Sequence, residues 1–169
     1  MPGKDVENKA SVTYFGQEYP SDIIKALGVL MIRANLLERD PTTLFATLSG
    51  LEFTKAKALF YSTNNSKARF DMIRSIAATS YIQTERLKEL GELLDKANGV
   101  MLRRNHLIHG NWSFKDDKFE VGYFQPLSKP KQPVLVNAAH IEKLASDYRS
   151  AGMLIALFAT QYAEKQTSP

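Results

Sequence analysis

From Ile141 to Tyr162 the apolar residues fall at alternating steps of three and four: Ile141, Leu144, Tyr148, Ala151, Ile155, Phe158 and Tyr162. That spacing keeps one stripe of a helix against a neighbour for about six turns, which is the requirement of a helical bundle. The pattern begins much earlier in the chain. Ile23, Leu27, Leu30, Ala34 and Leu37 repeat it after "YPSD", where Ser21 or Asp22 caps the first turn. A second helix is expected to restart at "DPTTLF", with Asp40 as its cap and Pro41 in its first turn; Gly50 then bends or divides it. Asn64, Asn65 and Ser66 are turn residues before a third helix. The fourth, from Thr84 to His109, has a seam of Leu87, Leu90, Leu94, Ala97, Met101 and Ile108, with Leu93, Val100 and Leu107 along its margin. Its phase is unbroken across Asn98–Gly99. One continuous helix is therefore expected there, although Asn-Gly is also a turn signal.

After Gly110 the texture changes. "NWSFKDDKFEVGYF" alternates at period two around a polar "KDDK" and reads as a β-hairpin. The three prolines of "QPLSKPKQPV" predict an irregular basic loop, because each fixes φ and lacks a ladder donor. Asn137 then caps the last helix. The fold class expected is all-α, a four- to five-helix bundle with a β-hairpin inserted before the last helix. Residues 1–169 read as a single domain. Residues 1–20 form an N-terminal arm with a short strand at "SVTYFG", 21–110 the bundle, 111–136 the hairpin and Pro-rich loop, and 137–166 the C-terminal helix.

Composition narrows the function. The longest apolar run, "GMLIALFA", has eight residues and is a core helix face, so no membrane partner is expected. The absence of cysteine excludes disulfides and thiolate metal sites and agrees with a reducing, cytoplasmic setting. The first residues lack the basic-then-apolar layout of a signal peptide. A net charge of +4 permits a polyanionic partner.

"MLRRNHLIHG", residues 101–110, carries ionisable groups where an apolar helix ends. After Met101 the next seam position is 104, and it holds arginine. Arg103 and His106 fall on the outer side of the wheel, while Asn105 and His109 lie four apart at one edge of the stripe. A guanidinium in an apolar seam costs several kcal/mol unless something meets its charge. In one reading Arg104 reaches past its neighbours or pairs with Asp71, Glu85 or Asp147. In the other, the seam there faces a cleft or a second subunit, and the charge is kept for an anionic ligand.

Arg104-Asn105-His106-Leu107-Ile108-His109 resembles the R-x(4–6)-H motif of the HEPN superfamily, in the form with a polar residue after the arginine. The resemblance implies a small helical bundle, a homodimer that brings two motifs into one cleft, and a metal-independent endoribonuclease. Toxins and phage-defence components are among such proteins, so a cognate antitoxin is an implied partner beside RNA. Arg104, Asn105 and His109 take the catalytic roles under this reading, and Arg103 and His106 those of substrate binding. The hairpin and the Pro-rich loop depart from the family pattern.

The residue types suit that chemistry. RNA is cut without a cofactor when a base drives the 2′-OH onto its own phosphate and an acid protonates the leaving 5′-oxygen. Histidine titrates near neutral pH and serves either role. A guanidinium meets the extra charge of the pentavalent phosphorane. No metal site is expected: His106 and His109 are three apart, but the turn offers no acidic ligand. Trp112, Phe114, Phe119 and Tyr123 with Lys115, Lys118, Lys129 and Lys131 form either an aromatic, basic RNA surface or a cover for the bundle's end. Two rival functions keep the same residues. One is an inactive RNA- or nucleotide-binding or adaptor module, and the other is a helical dimerisation protein with Arg104 in an interface ion pair.

Overall fold

The computed structural model describes residues 12–14, 17–115, 118–122 and 134–167. Among these residues there are five helices: α1 (Ser21–Ser49), α2 (Phe53–Phe60), α3 (Ser66–Thr79), α4 (Thr84–His109) and α5 (Ala138–Thr167). Two short strands, β1 (Val12–Tyr14) and β2 (Gln17–Tyr19), pair antiparallel ahead of α1, so the strand expected in the arm pairs with its own continuation. β3 (Asn111–Lys115), β4 (Lys118–Gly122) and β5 (Val134–Val136) form a second antiparallel sheet in the order β3-β4-β5. The protein is an all-α bundle with a β-hairpin before its last helix.

α1 and α5 make the most extensive helix contact. They run parallel: Ile23 shares a cleft with Asn137 and His140, and fifteen or so residues on, Leu37 and Asp40 meet Gly152. α4 lies antiparallel to α5. Arg103 near its end reaches Asp147, and Arg86 near its start reaches Gln161 and stacks over Phe158. The core between them holds the expected seam of α5, with Ile141, Leu144, Tyr148, Ala151, Ile155 and Phe158 buried. Asn137 caps α5 as expected, accepting from the His140 N–H at 2.9 Å.

Two helix boundaries differ from expectation. α1 does not restart at Asp40 but continues through Pro41 to Ser49. Pro41 leaves the Leu37 carbonyl without a backbone donor. Side chains bind the next carbonyl along, which takes both the Thr42 hydroxyl and the Tyr61 hydroxyl at 3.1 Å. Burial of Pro41, Leu44, Phe45 and Leu48 holds the second half of the helix in line. Gly50 is where the chain divides. It adopts φ 66° as the left-handed cap of α1, and Glu52 caps α2 by accepting from Thr54 and Lys55. α4 passes through Asn98–Gly99 unbroken, as its phase predicts.

The sheet fastens one end of the bundle. Only Gly110 separates α4 from β3, and only Asn137 separates β5 from α5. Phe119, Val121 and Val136 are buried on the sheet's inner face. β5 is a strand where an irregular loop is expected, because its three residues gain a ladder on Glu120 and its neighbours only after the chain returns. The hairpin's polar turn, most of the Pro-rich loop, Tyr123, Lys129, Lys131 and the side chains of Lys115 and Lys118 lie outside the described residues.

Candidate functional site

The buried stripe of α4 changes phase toward its end. Leu90, Leu94 and Ala97 are buried, and then Val100 and Leu107 rather than Met101 and Ile108, which are half-buried. Arg104 falls between Val100 and Leu107, on the seam itself. Its side chain is half-buried, and its Nε is enclosed with no hydrogen-bond partner among the described residues. One Nη donates to the Asn105 side-chain oxygen at 2.8 Å. The three carboxylates a seam arginine was most apt to reach do not pair with it. Asp147 accepts from Arg103 at 2.9 Å, Asp71 is held by Lys67 and Arg74, and Glu85 stands in the exposed first turn of α4. The Lys67 hydrogen bond, with Arg74, keeps the Asp71 carboxyl below its ordinary range.

Arg104 opens instead into a polar pocket of about 150 Å³. Four helices contribute to it: α1 gives Ala34 and Glu38, the start of α3 gives Ser66 and Arg69, α4 gives Met101, Arg104 and Asn105, and α5 gives Tyr148. Asn64, in the turn before α3, completes the ring. Arg69 is fixed from two directions. Its Nε donates to the Thr63 carbonyl at 3.0 Å, and its guanidinium lies 4.3 Å from the centre of the Tyr61 ring. Tyr148 is only 2% exposed. Burial pushes its phenol up to about 12 against the opposing pull of Arg104, so it is a neutral hydrogen-bonding group at physiological pH.

No family model, curated protein or solved structure matches the chain.

The expected site residues divide among three surfaces. Arg104 and Asn105 share the pocket. Arg103 is exposed, as its outer position on the wheel predicts, and His106 is half-buried beside it. They border a second cleft, of about 350 Å³, whose floor is Leu107, Val121, Val136, Ile141 and Leu144. There Arg103 and Lys143 both reach Asp147, at 2.9 and 3.4 Å. His109, in the last turn of α4, is exposed and borders neither cleft. Among the described residues no three His, Asp or Glu side chains gather closely enough to hold a metal ion, and no helix is long and apolar enough to cross a membrane.

Of the aromatic candidates, Phe119 is buried and makes ring contacts with Tyr19, Trp112 and Phe114 at 5.0–6.3 Å. Trp112 donates its indole N–H to the Leu107 carbonyl at 2.9 Å, satisfying one of the open acceptors at the end of α4. These rings cover the bundle's end. Arg69, Glu38 and Asn64 escaped sequence reasoning. Arg69 is one of three basic residues in α3, and nothing local distinguishes it from Lys67 or Arg74; only the packing of α3 beside α1 and α4 places it opposite Arg104.

Proposed function

We propose that the protein is a cytoplasmic, metal-independent endoribonuclease whose site is composed at a homodimer interface. Arg104 stabilises charge on the scissile phosphate, Asn105 positions it or the ribose, and His109 transfers the proton. The observation that carries this reading is the Arg104 guanidinium. It occupies a core seam position, no carboxylate of the described residues lies within 4 Å, and it opens into a polar pocket. Burying a charge without a partner costs several kcal/mol, and an anionic ligand offsets that cost. The assignment as a toxin or phage-defence component, with a cognate antitoxin, rests on the resemblance of Arg104–His109 to the HEPN motif.

Within one chain His109 stands outside the Arg104 pocket, so the reading requires His109 of a second copy at the same phosphate. The same separation favours a second reading, an RNA- or nucleotide-binding module that does not cut. Mixing decides between them. Arg104→Ala and His109→Ala are each expected to lose about 10²–10³ in cleavage rate. A mixture of the two variants should recover activity that neither has alone, because one of the hybrid dimer's sites is intact. Arg103→Ala should alter mainly the salt dependence of binding. Products should end in a 2′,3′-cyclic phosphate, EDTA should leave the rate unchanged, and RNA with a 2′-O-methyl at the cut should resist. RNA binding without cleavage by the wild type or the mixture would establish the module.

A further inference from the structure

The Arg104 pocket contains more than a motif arginine, and its contents specify a ligand. Its volume, about 150 Å³, has room for a phosphate group, and its lining is largely polar. Two guanidiniums from different helices border the space, Arg69 on α3 and Arg104 on α4. Neither has an ion-pair partner among the described residues, and both Nη groups of Arg69 are without hydrogen bonds to those residues. The Arg69 side chain is nevertheless not loose, since Thr63 and Tyr61 fix its Nε edge and its face. An arginine so held presents its remaining N–H donors in one direction.

Glu38 borders the same space, and its carboxylate would repel an anion if nothing else were bound with it. Two cations and one anion leave a single excess positive charge. A phosphodiester carries one negative charge at neutral pH and balances it, whereas a phosphomonoester carries nearly two. A carboxylate accepts hydrogen bonds and donates none. It therefore suits a hydroxyl next to the phosphate, and in RNA the 2′-OH stands on the carbon beside the 3′-phosphate ester. DNA has no such donor.

We infer that Arg69 and Arg104 jointly grip one backbone phosphodiester of RNA while Glu38 accepts the adjoining 2′-OH, so that this pocket selects RNA over DNA. The inference rests on the proposal that the ligand is RNA, and is independent of whether that RNA is cut. Binding of a fluorescein-labelled oligouridine, its 2′-O-methyl counterpart and the corresponding oligodeoxyuridine tests it by anisotropy across a salt series. The wild-type protein is expected to prefer the first strand to the other two. Arg69→Met should weaken all three roughly tenfold and lower the slope of log affinity against log salt by about 0.7, the share of one phosphate contact on a single strand. Arg69→Lys, which keeps the charge and the stem, should fall between. Glu38→Ala should remove the preference for the ribose strand while leaving binding of the deoxy strand unweakened. An unchanged salt slope in both Arg69 variants, or an unchanged preference in Glu38→Ala, overturns the inference. Cleavage of the same oligouridine, followed in parallel on a gel, separates the two ideas. Selective binding with no cutting removes the nuclease and leaves the pocket, and failure to bind any of the strands removes both.

Discussion

Arg103 and Arg104 are adjacent in the chain and belong to different surfaces. Successive residues of a helix point about 100° apart, so one arginine reaches Asp147 on α5 while the other enters the four-helix pocket. The interruption of an apolar seam by Arg104 was legible in the sequence, because a seam is a local, periodic property. The partners of that arginine were not. Glu38 and Arg69 lie on other helices, and His109, one turn beyond Asn105, is exposed and does not border the pocket. A second residue-scale consequence concerns Asp40. Its carboxylate lies against Gly152 of α5, and burial raises its pKa against the opposing charge of Arg39. A carboxyl whose folded pKa is raised favours the fold most when it is protonated, below its unfolded value near 3.9, and loses that contribution as pH climbs through the folded value. At neutral pH the charged carboxylate therefore opposes folding. Asp40→Asn is expected to raise the melting temperature at pH 7, with the gain disappearing below about pH 4. Thermal melts of both proteins across that range check the sign.

At the scale of elements, Gly110 ends α4 because of its size and not because of its backbone freedom. The sequence places a glycine after His109, where a left-handed cap is usual. Gly110 instead has φ −76° and ψ 160°, an extended conformation open to any residue. Glycine is needed for space. A β-carbon there would press on the Val121 side chain and on the carbonyl oxygens of His106 and Gly122, at 2.5 and 2.9 Å for the two oxygens. Side chains rotate away from such contacts and backbone does not. Gly110→Ala should destabilise the protein by about 1–3 kcal/mol, visible in urea unfolding, whereas Gly91→Ala, with open space around it, should stabilise α4 by roughly 0.5–1 kcal/mol. The same distinction between local and distant causes separates the elements that were legible from those that were not. The seams of α4 and α5 and the Asn137 cap follow from nearby residues. The passage of α1 through Pro41 depends on the Tyr61 hydroxyl and on burial against α5, and β5 depends on a strand already in place.

At the scale of the whole molecule, the described surface leaves apolar groups on several helices. Leu102, 49% exposed, and His109 are seven residues apart and share one stripe of α4. A homodimer built on that stripe would bring His109 to a neighbouring copy, as the composite site requires. Sedimentation is expected to give twice the 19.0 kDa mass of one chain at micromolar concentration. Leu102→Glu should return it to the single mass, while Leu157→Glu, on the outer face of α5, should not. A single-chain mass for the wild type would end the composite-site reading. The parallel pairing of α1 with α5 has a consequence of another kind. The largest contact in the bundle joins the first helix to the last, with all the other helices and the sheet between them in the chain. Contacts so distant in sequence slow folding, because a long loop must close before they form. During synthesis α1 leaves the ribosome with its main partner still untranslated. Glu38 and Tyr148 come from these two helices, so the Arg104 pocket is not complete until the final helix has been made. A chain whose translation stops before α5 carries Arg69 and Arg104 but lacks one wall of the pocket they share.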